Sequence, residues 1–255
     1  MSDPILYEKE GEIGKITLNN PEKSNPFTLQ ALVDLADAFK QSAENGDMCV
    51  IYGAKGKNFT FGADLKYGYE LMSKPEKRSE AAEYLWAWQE VTTAMLENPA
   101  IILVGYHGWI VGGGFEHTLA SDLRIAADNT RIMMPELDMG IFFSNASTKI
   151  LPQIVGAGRA KELMIMGDEV TADKALGIGL VNRVCKPEEL DGVLQETAEK
   201  IVTKDKLALQ LTKKIMLEAQ ESSIDEVLYN EGRAMMNTGQ HGGAAERIKA
   251  FFKME

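Results

Sequence analysis

The chain has 255 residues, enough to bury a sizeable core as one large domain or as a core with a smaller appendage. Its composition, 45% hydrophobic and 25% charged, is that of a globular protein rather than a disordered or fibrous one. A net charge of −11 argues against nonspecific nucleic-acid binding, which needs clustered Lys and Arg, yet leaves room for a small anion held by local donors.

At the N-terminus, Met1-Ser2-Asp3-Pro4 shows no basic stretch followed by an apolar run, so no signal peptide is expected. No apolar stretch approaches membrane-spanning length, and a cytoplasmic location with no membrane contact is the default expectation. Strand-like runs follow at 13–18, 48–52, 101–104, 123–126 and 180–184. Helical periodicity fills the intervals, notably at 28–44 and 77–96. Strands alternating with helices predict an α/β arrangement with largely parallel pairing. From Pro187 onward the segments 188–202, 207–221 and 224–236 read as successive helices, Gly239–Gly243 as a loop, and the tail as a last short helix. The division expected is a core over 1–190 and a helical region over 191–255.

Cys49 and Cys185 both sit in apolar strand contexts and read as small core residues, not as a disulfide, a metal pair or a nucleophile. No His/Cys/Asp cluster with metal spacing appears, and Gly-x-Ser-x-Gly is absent. Gly156-Ala157-Gly158-Arg159 lacks the third glycine and the clean preceding strand of a dinucleotide site. Trp86 and Trp88, two apart on a helix, face different ways, and core packing is the expectation for both. His107 and His117 read as structural histidines.

Gly112-Gly113-Gly114-Phe115-Glu116 is the most informative stretch. Apolar residues precede the glycines and a helical run follows them. A glycine run at a strand-to-helix turn lets backbone approach a ligand and leaves N–H groups free at the helix start. Glu116, one turn in, is an acid/base candidate, and Glu136 in Pro135-Glu136 is a second carboxylate able to answer it. Two carboxylates at one site raise at least one pKa, which lets a pair divide acid and base roles near neutral pH. An independent upstream segment, Asn58-Phe59-Thr60-Phe61-Gly62-Ala63-Asp64-Leu65-Lys66, completes the pattern.

Together these motifs resemble the crotonase (enoyl-CoA hydratase/isomerase) superfamily, from Ile16-Thr17-Leu18-Asn19-Asn20-Pro21 to the 247–252 tail. The resemblance implies a spiral of ββα units followed by a C-terminal helical region that forms trimers or hexamers and contributes to the coenzyme A pocket. It implies an acyl-CoA substrate and no further cofactor. Ala63 and Gly113 would supply the N–H donors of an oxyanion hole for the thioester oxygen. Lys23, Ser24, Asp64, Leu65 and Lys66 would border coenzyme A, a flexible lysine suiting phosphate as a point charge. Trp109, Phe142, Phe143 and Asn145 would border the acyl group.

Hydratases of this family keep both glutamates, which hold one water against the β-carbon, and hydration of a 2-enoyl-CoA to the 3-hydroxyacyl-CoA is the implied reaction. They also follow the second Glu with Gly-x-x-Pro-Gly-x-Gly-Gly-Thr, where this chain has Gly140-Ile141-Phe142-Phe143-Ser144-Asn145-Ala146-Ser147-Thr148. That departure keeps open isomerisation, decarboxylation, C–C bond formation or cleavage, and thioester hydrolysis. The Pro135-Glu136-Leu137 context with a serine-containing loop also resembles carboxymethylproline synthases, which lack the first Glu. A non-catalytic binding or scaffolding role on the same fold is the remaining alternative.

Overall fold

A computed structural model describes residues 3–241 and 243–253; Met1 and Ser2, part of the N-terminal reading above, lie outside them. The chain opens with the hairpin β1 (Ile5–Glu10) and β2 (Ile13–Leu18), then runs through α1 (Leu29–Glu44), β3 (Cys49–Ala54), α2 (Leu65–Ser73) and α3 (Arg78–Glu97). Next come β4 (Ile101–Tyr106), β5 (Trp109–Val111), the single turn α4 (Gly113–Glu116), β6 (Leu123–Ala127) and β7 (Arg131–Met133). Helices α5 (Ser147–Val155) and α6 (Ala157–Met166), strand β8 (Val170–Thr171), α7 (Ala172–Gly177) and β9 (Arg183–Cys185) close the α/β part. The remainder is helical: α8 (Leu190–Val202), α9 (Lys206–Glu218), α10 (Ile224–His241) and α11 (Ala244–Phe251).

A six-stranded sheet takes the order β1-β2-β3-β4-β6-β9, antiparallel only at the opening hairpin and parallel thereafter. A second, three-stranded sheet of order β5-β7-β8 stands beside it. Parallel strands buried on both faces read as continuous apolar runs, and Ile101-Ile102-Leu103-Val104 shows why. Ile102, Val104 and Tyr106 join the main core with α1 and α3, while Leu103 turns to the opposite face. There it packs with Ile13, Cys49, Ile125 and the α8 residues Leu190, Val193 and Leu194. Gly105 permits the close approach, because a β carbon on it would stand 2.3 Å from Leu194 Cδ1. Helix α8 therefore shares a core with the sheet, which carries the α/β unit past residue 190 to Val202.

Thr28 caps α1, its side-chain oxygen accepting from Ala31 N, so the helix begins one residue later than the periodicity predicts. Two other expectations are corrected. The strand expected over 180–184 is confined to Arg183–Cys185, because Leu180 and Val181 are drawn into the core by backbone bonds to Ala175 O. The loop expected over 239–243 starts later, since α10 continues through His241. The helical reading of 115–120 also resolves into α4 and a following 3-10 turn at His117–Ala120. Among the described residues no helix is long and apolar enough to cross a membrane.

Candidate active site

The site is assembled from three chain segments locked side by side. Ser24 and Asn25 both adopt left-handed backbone, with φ of 59° and 51°. This aims the Asn25 amide inward, where it donates to Lys55 O (3.0 Å), Asn58 O (3.2 Å) and Phe59 O (2.9 Å). Thr60 Oγ1 returns a bond to Asn25 O at 2.6 Å and accepts from Gly62 N at 3.0 Å. The second segment is stitched to the third by Thr60 N donating to Trp109 O and Val111 N donating to Thr60 O, each 3.1 Å.

Two glycines set how tightly the segments meet. At Gly62, with φ of +78°, a β carbon would lie 2.6 Å from Val111 O. At Gly112, with φ of +55°, it would lie 2.7 Å from Glu136 Oε1, so this carboxylate rests directly over the glycine turn.

The result is a pair of free donors. The backbone bonds Phe27 N to Gly62 O and Asp64 N to Phe27 O, both 2.9 Å, hold Ala63 from either side. Among the described residues neither Ala63 N nor Gly113 N donates to a protein acceptor. Gly113 opens α4, whose first N–H groups have no intrahelical partner. Its position is fixed from behind by His117 and Trp88. His117 is fully buried, with Nδ1 3.0 Å from Gly113 O and Nε2 2.9 Å from the Tyr52 hydroxyl. A carbonyl only accepts, so Nδ1 carries the proton and Tyr52 donates to Nε2. Burial, opposed by the bond to Gly113 O, pushes the imidazole pKa down to about 4 and keeps it neutral.

Glu116 and Glu136 are 1% and 5% exposed. Glu116 Oε2 accepts two bonds, from Ser144 N at 2.7 Å and from the Ser147 hydroxyl at 2.5 Å. Burial pushes this carboxyl well above the usual range, opposed by the Ser147 hydroxyl, reinforced by the Glu136 charge and opposed again by the Ser144 amide. Glu136 is raised as well, chiefly by burial, and its Oε2 is a buried oxygen with no partner among the described residues. Two such groups in contact share protons as a unit. A carboxyl pair that holds a proton near neutral pH, beside two unpartnered N–H groups, can shuttle a proton at a carbon next to a polarised carbonyl.

The other residues singled out in the sequence fall into distinct places. Asp64 caps α2, accepting from Lys66 N and Tyr67 N at 3.1 Å, which commits its carboxylate to the helix start. Leu65 and Lys66 are exposed on the first turn of α2, and Lys23 is exposed on the turn next to Ser24. Ser24 meets the 58–64 segment through Phe61 N donating to its carbonyl and Asn58 Nδ2 donating to its hydroxyl. Lys23, Ser24, Ala63, Asp64, Leu65 and Lys66 thus share one side of the site. The Trp109 ring stands 6.5 Å from that of Phe61, on the same side. Phe142 is 77% exposed, and Phe143 packs against the core. Asn145 is fully buried, its amide engaged by Thr92 Oγ1 (3.0 Å) and Ser144 Oγ (2.7 Å), so it anchors the 140–148 loop to α3. Core packing holds for Trp88, but Trp86 is 72% exposed, because α3 buries the face carrying Tyr84, Trp88, Val91 and Met95.

Sequence reasoning missed Ser144, Ser147 and Trp88 as site residues, and also the anchoring by Asn25. Asn25 had a signal, since asparagine tolerates left-handed backbone in turns. The two serines stood out only as departures from the family's loop pattern, because their distance to Glu116 is created by the fold.

The family described as enoyl-CoA hydratase/isomerase matches residues 8–254. A crotonyl-CoA hydratase of Syntrophomonas wolfei is 34% identical over 236 residues, covering 90% of this chain and 87% of its own. A short-chain-enoyl-CoA hydratase of Clostridium acetobutylicum is 32% identical over 232 residues, with 90% and 87% covered. The crystal structure of an enoyl-CoA hydratase from Bacillus anthracis superposes with a TM-score of 0.91 at 27% identity, covering 98% of this chain and 96% of that one. The chain belongs to the enoyl-CoA hydratase/isomerase family and is an enzyme of the crotonase superfamily.

Proposed function

We propose that the protein is an enoyl-CoA hydratase, adding water across a 2-enoyl-CoA to give the 3-hydroxyacyl-CoA. The observation that carries this reading is the pair of buried carboxyls, Glu116 and Glu136, beside the unpartnered N–H groups of Ala63 and Gly113. The thioester oxygen accepts from the two N–H groups, which draws electron density from the β-carbon and stabilises the enolate. Glu116 takes a proton from water as its oxygen bonds to the β-carbon, and Glu136 delivers a proton to the α-carbon. Passing one proton from Glu116 to Glu136 resets the pair. In this reading no resident cofactor or metal takes part; coenzyme A is carried by the substrate, and the exposed Lys23 and Lys66 are the cations that would meet its phosphates. Assembly into trimers or hexamers belongs to the same proposal, the exposed Ile224, Leu228 and Met235 of α10 offering apolar contact area.

A second reading has an observation of its own. Phe143 and Ser144 stand where hydratases of the family carry Pro-Gly, and bulky apolar groups there can exclude water. The oxyanion hole would then serve isomerisation, decarboxylation or C–C chemistry, or thioester hydrolysis by a water that reaches the thioester carbon away from Glu116. The test is a panel of acyl-CoA thioesters incubated with the protein and analysed by mass spectrometry. A gain of 18 mass units (one water) on crotonyl-CoA or a longer enoyl-CoA is expected. A rearranged, decarboxylated or C–C-bonded product, or free coenzyme A released by hydrolysis, selects the second reading, and acyl-CoA binding with no turnover across the panel selects a binding protein.

A further inference from the structure

Ser147, the first residue of α5, is fully buried, and its hydroxyl reaches Glu116 Oε2 at 2.5 Å. The Ser144 amide meets the same oxygen at 2.7 Å. Any residue at 144 except proline would supply that amide. The hydroxyl is different, because the family loop pattern aligned above has the second of its two adjacent glycines at this position. A glycine carries no side-chain donor there.

The backbone is built to deliver both donors. Asn145 and Ala146 adopt left-handed conformations, with φ of 57° and 52°, costly for residues with a β carbon. The bonds of the Asn145 amide to Thr92 and Ser144 hold this double turn in place. It reverses the chain so that the amide before it and the hydroxyl after it converge on one oxygen.

We infer that Ser147 is a positioning residue: its hydroxyl clamps Glu116 Oε2 and leaves Oε1 as the oxygen turned to the reacting water and to Glu136. This rests on the reading of the two glutamates as the acid/base pair. Rotation of the carboxyl would break two bonds at once. A hydrogen bond to an ionised group favours the bound state about tenfold or more, so the clamp also favours the ionised form against burial.

The surroundings leave few competing influences on Glu116. Glu136 is the charged group that bears on it, and Asp138, on the same turn, is exposed. On α5, Lys149 pairs with Glu221 at the surface. Helix α3 presents Trp88 and Thr92, neither of which titrates. His117, next in the chain, is buried and neutral.

The test is a direct titration of the full chain with glutamate labelled by carbon-13 at the carboxyl, the Glu116 signal being assigned by its loss in Glu116→Gln. In Ser147→Ala and Ser147→Gly the Glu116 midpoint is expected to rise by about one pH unit, while exposed Thr148→Ala leaves it in place. The acidic limb of the hydration profile moves up by the same amount, because the base must be ionised to accept water's proton. Circular dichroism establishes that each variant is folded, and either small replacement suffices. Unchanged midpoints and profiles in both folded variants overturn the positioning role, even if hydration is vigorous. A shifted midpoint in a protein that hydrates no enoyl-CoA leaves the clamp standing and removes the hydratase reading instead.

Discussion

The indole of Trp88 lies so close to Gly113 that a β carbon added to the glycine would stand 3.2 Å from the ring. Trp88 is itself wedged by Phe27, its ring 5.2 Å away, and by His117 at 6.2 Å. The proposed oxyanion donor therefore rests on an aromatic stack that reaches back into the main core.

That contact allows steric and hydrogen-bonding roles of Gly113 to be separated. Gly113→Ala keeps the N–H but presses on Trp88, whereas Gly113→Pro presses on the ring in the same way and also deletes the donor. Proline is tolerated at the start of a helix. Loss of one oxyanion donor costs about 10²–10³-fold in kcat, so Gly113→Pro is expected to fall at least that far below Gly113→Ala. Equal kcat in the two variants, measured alongside thermal melts, would make Gly113 a packing glycine only.

Removing the aromatic support tests the same site from the other side. Trp88→Ala leaves a large cavity beside Phe27 and is expected to cost about 3–5 kcal/mol of stability. Trp88→Phe retains most of the apolar contact and lowers stability less. Turnover in Trp88→Phe falls through kcat rather than KM if the stack holds Gly113 in register for the transition state.

Glu136→Gln conserves shape and removes the titrating group. Turnover should decrease by about 10²–10⁴-fold while the fold is retained. Steady-state kinetics on the enoyl-CoA identified by the panel decide the matter, and near-native turnover rules Glu136 out as the proton carrier.

Glu116→Ala discriminates hydration from simple proton exchange. The water loses both its position and its base, so hydration disappears, whereas exchange at the α-carbon still has Glu136 and the oxyanion hole. Deuterium uptake from heavy water into a bound acyl-CoA is expected to persist in this variant. If wild-type protein exchanges deuterium yet adds water to no enoyl-CoA, Phe142 and Phe143 are the residues to shorten.

Stability against pH reports the buried carboxyls independently of substrate. Both have folded pKa values above the unfolded value of about 4.3, so the native state binds more protons and stability declines as pH rises. His117 acts in the opposite sense. Its folded pKa of about 4 lies below the ordinary 6.5, and its contribution grows with pH through that window and then saturates. The two effects offset each other below pH 6.5, and above it the carboxyl effect remains. Melts between pH 6.5 and 8.5 should show a decline of up to about 1.4 kcal/mol per pH unit for each proton released. The double variant Glu116→Gln, Glu136→Gln is expected to flatten it, and an undiminished decline would place its origin elsewhere.

Much of this was written locally in the chain. The glycine run before Glu116, the Pro135-Glu136 pair and the 58–66 segment identify the scaffold because their chemistry depends on residue type at short spacing. Continuous apolar runs marked the parallel strands, and helical periodicity placed the start of α1 to within one residue of the cap at Thr28. Tertiary structure decided what depends on distance between segments remote in sequence. It put Ser147 on Glu116, Trp88 under Gly113 and Asn25 across three carbonyls, and it drew α8 into the core beyond the division expected at residue 190. None of these partners has a signature of its own, because serine, tryptophan and asparagine are ordinary until packing sets what they face. The same holds for acidity: the sequence supplies two carboxyl groups, and only their burial, with one oxygen of Glu136 left unpartnered, raises their pKa values toward the range where a proton can be shared.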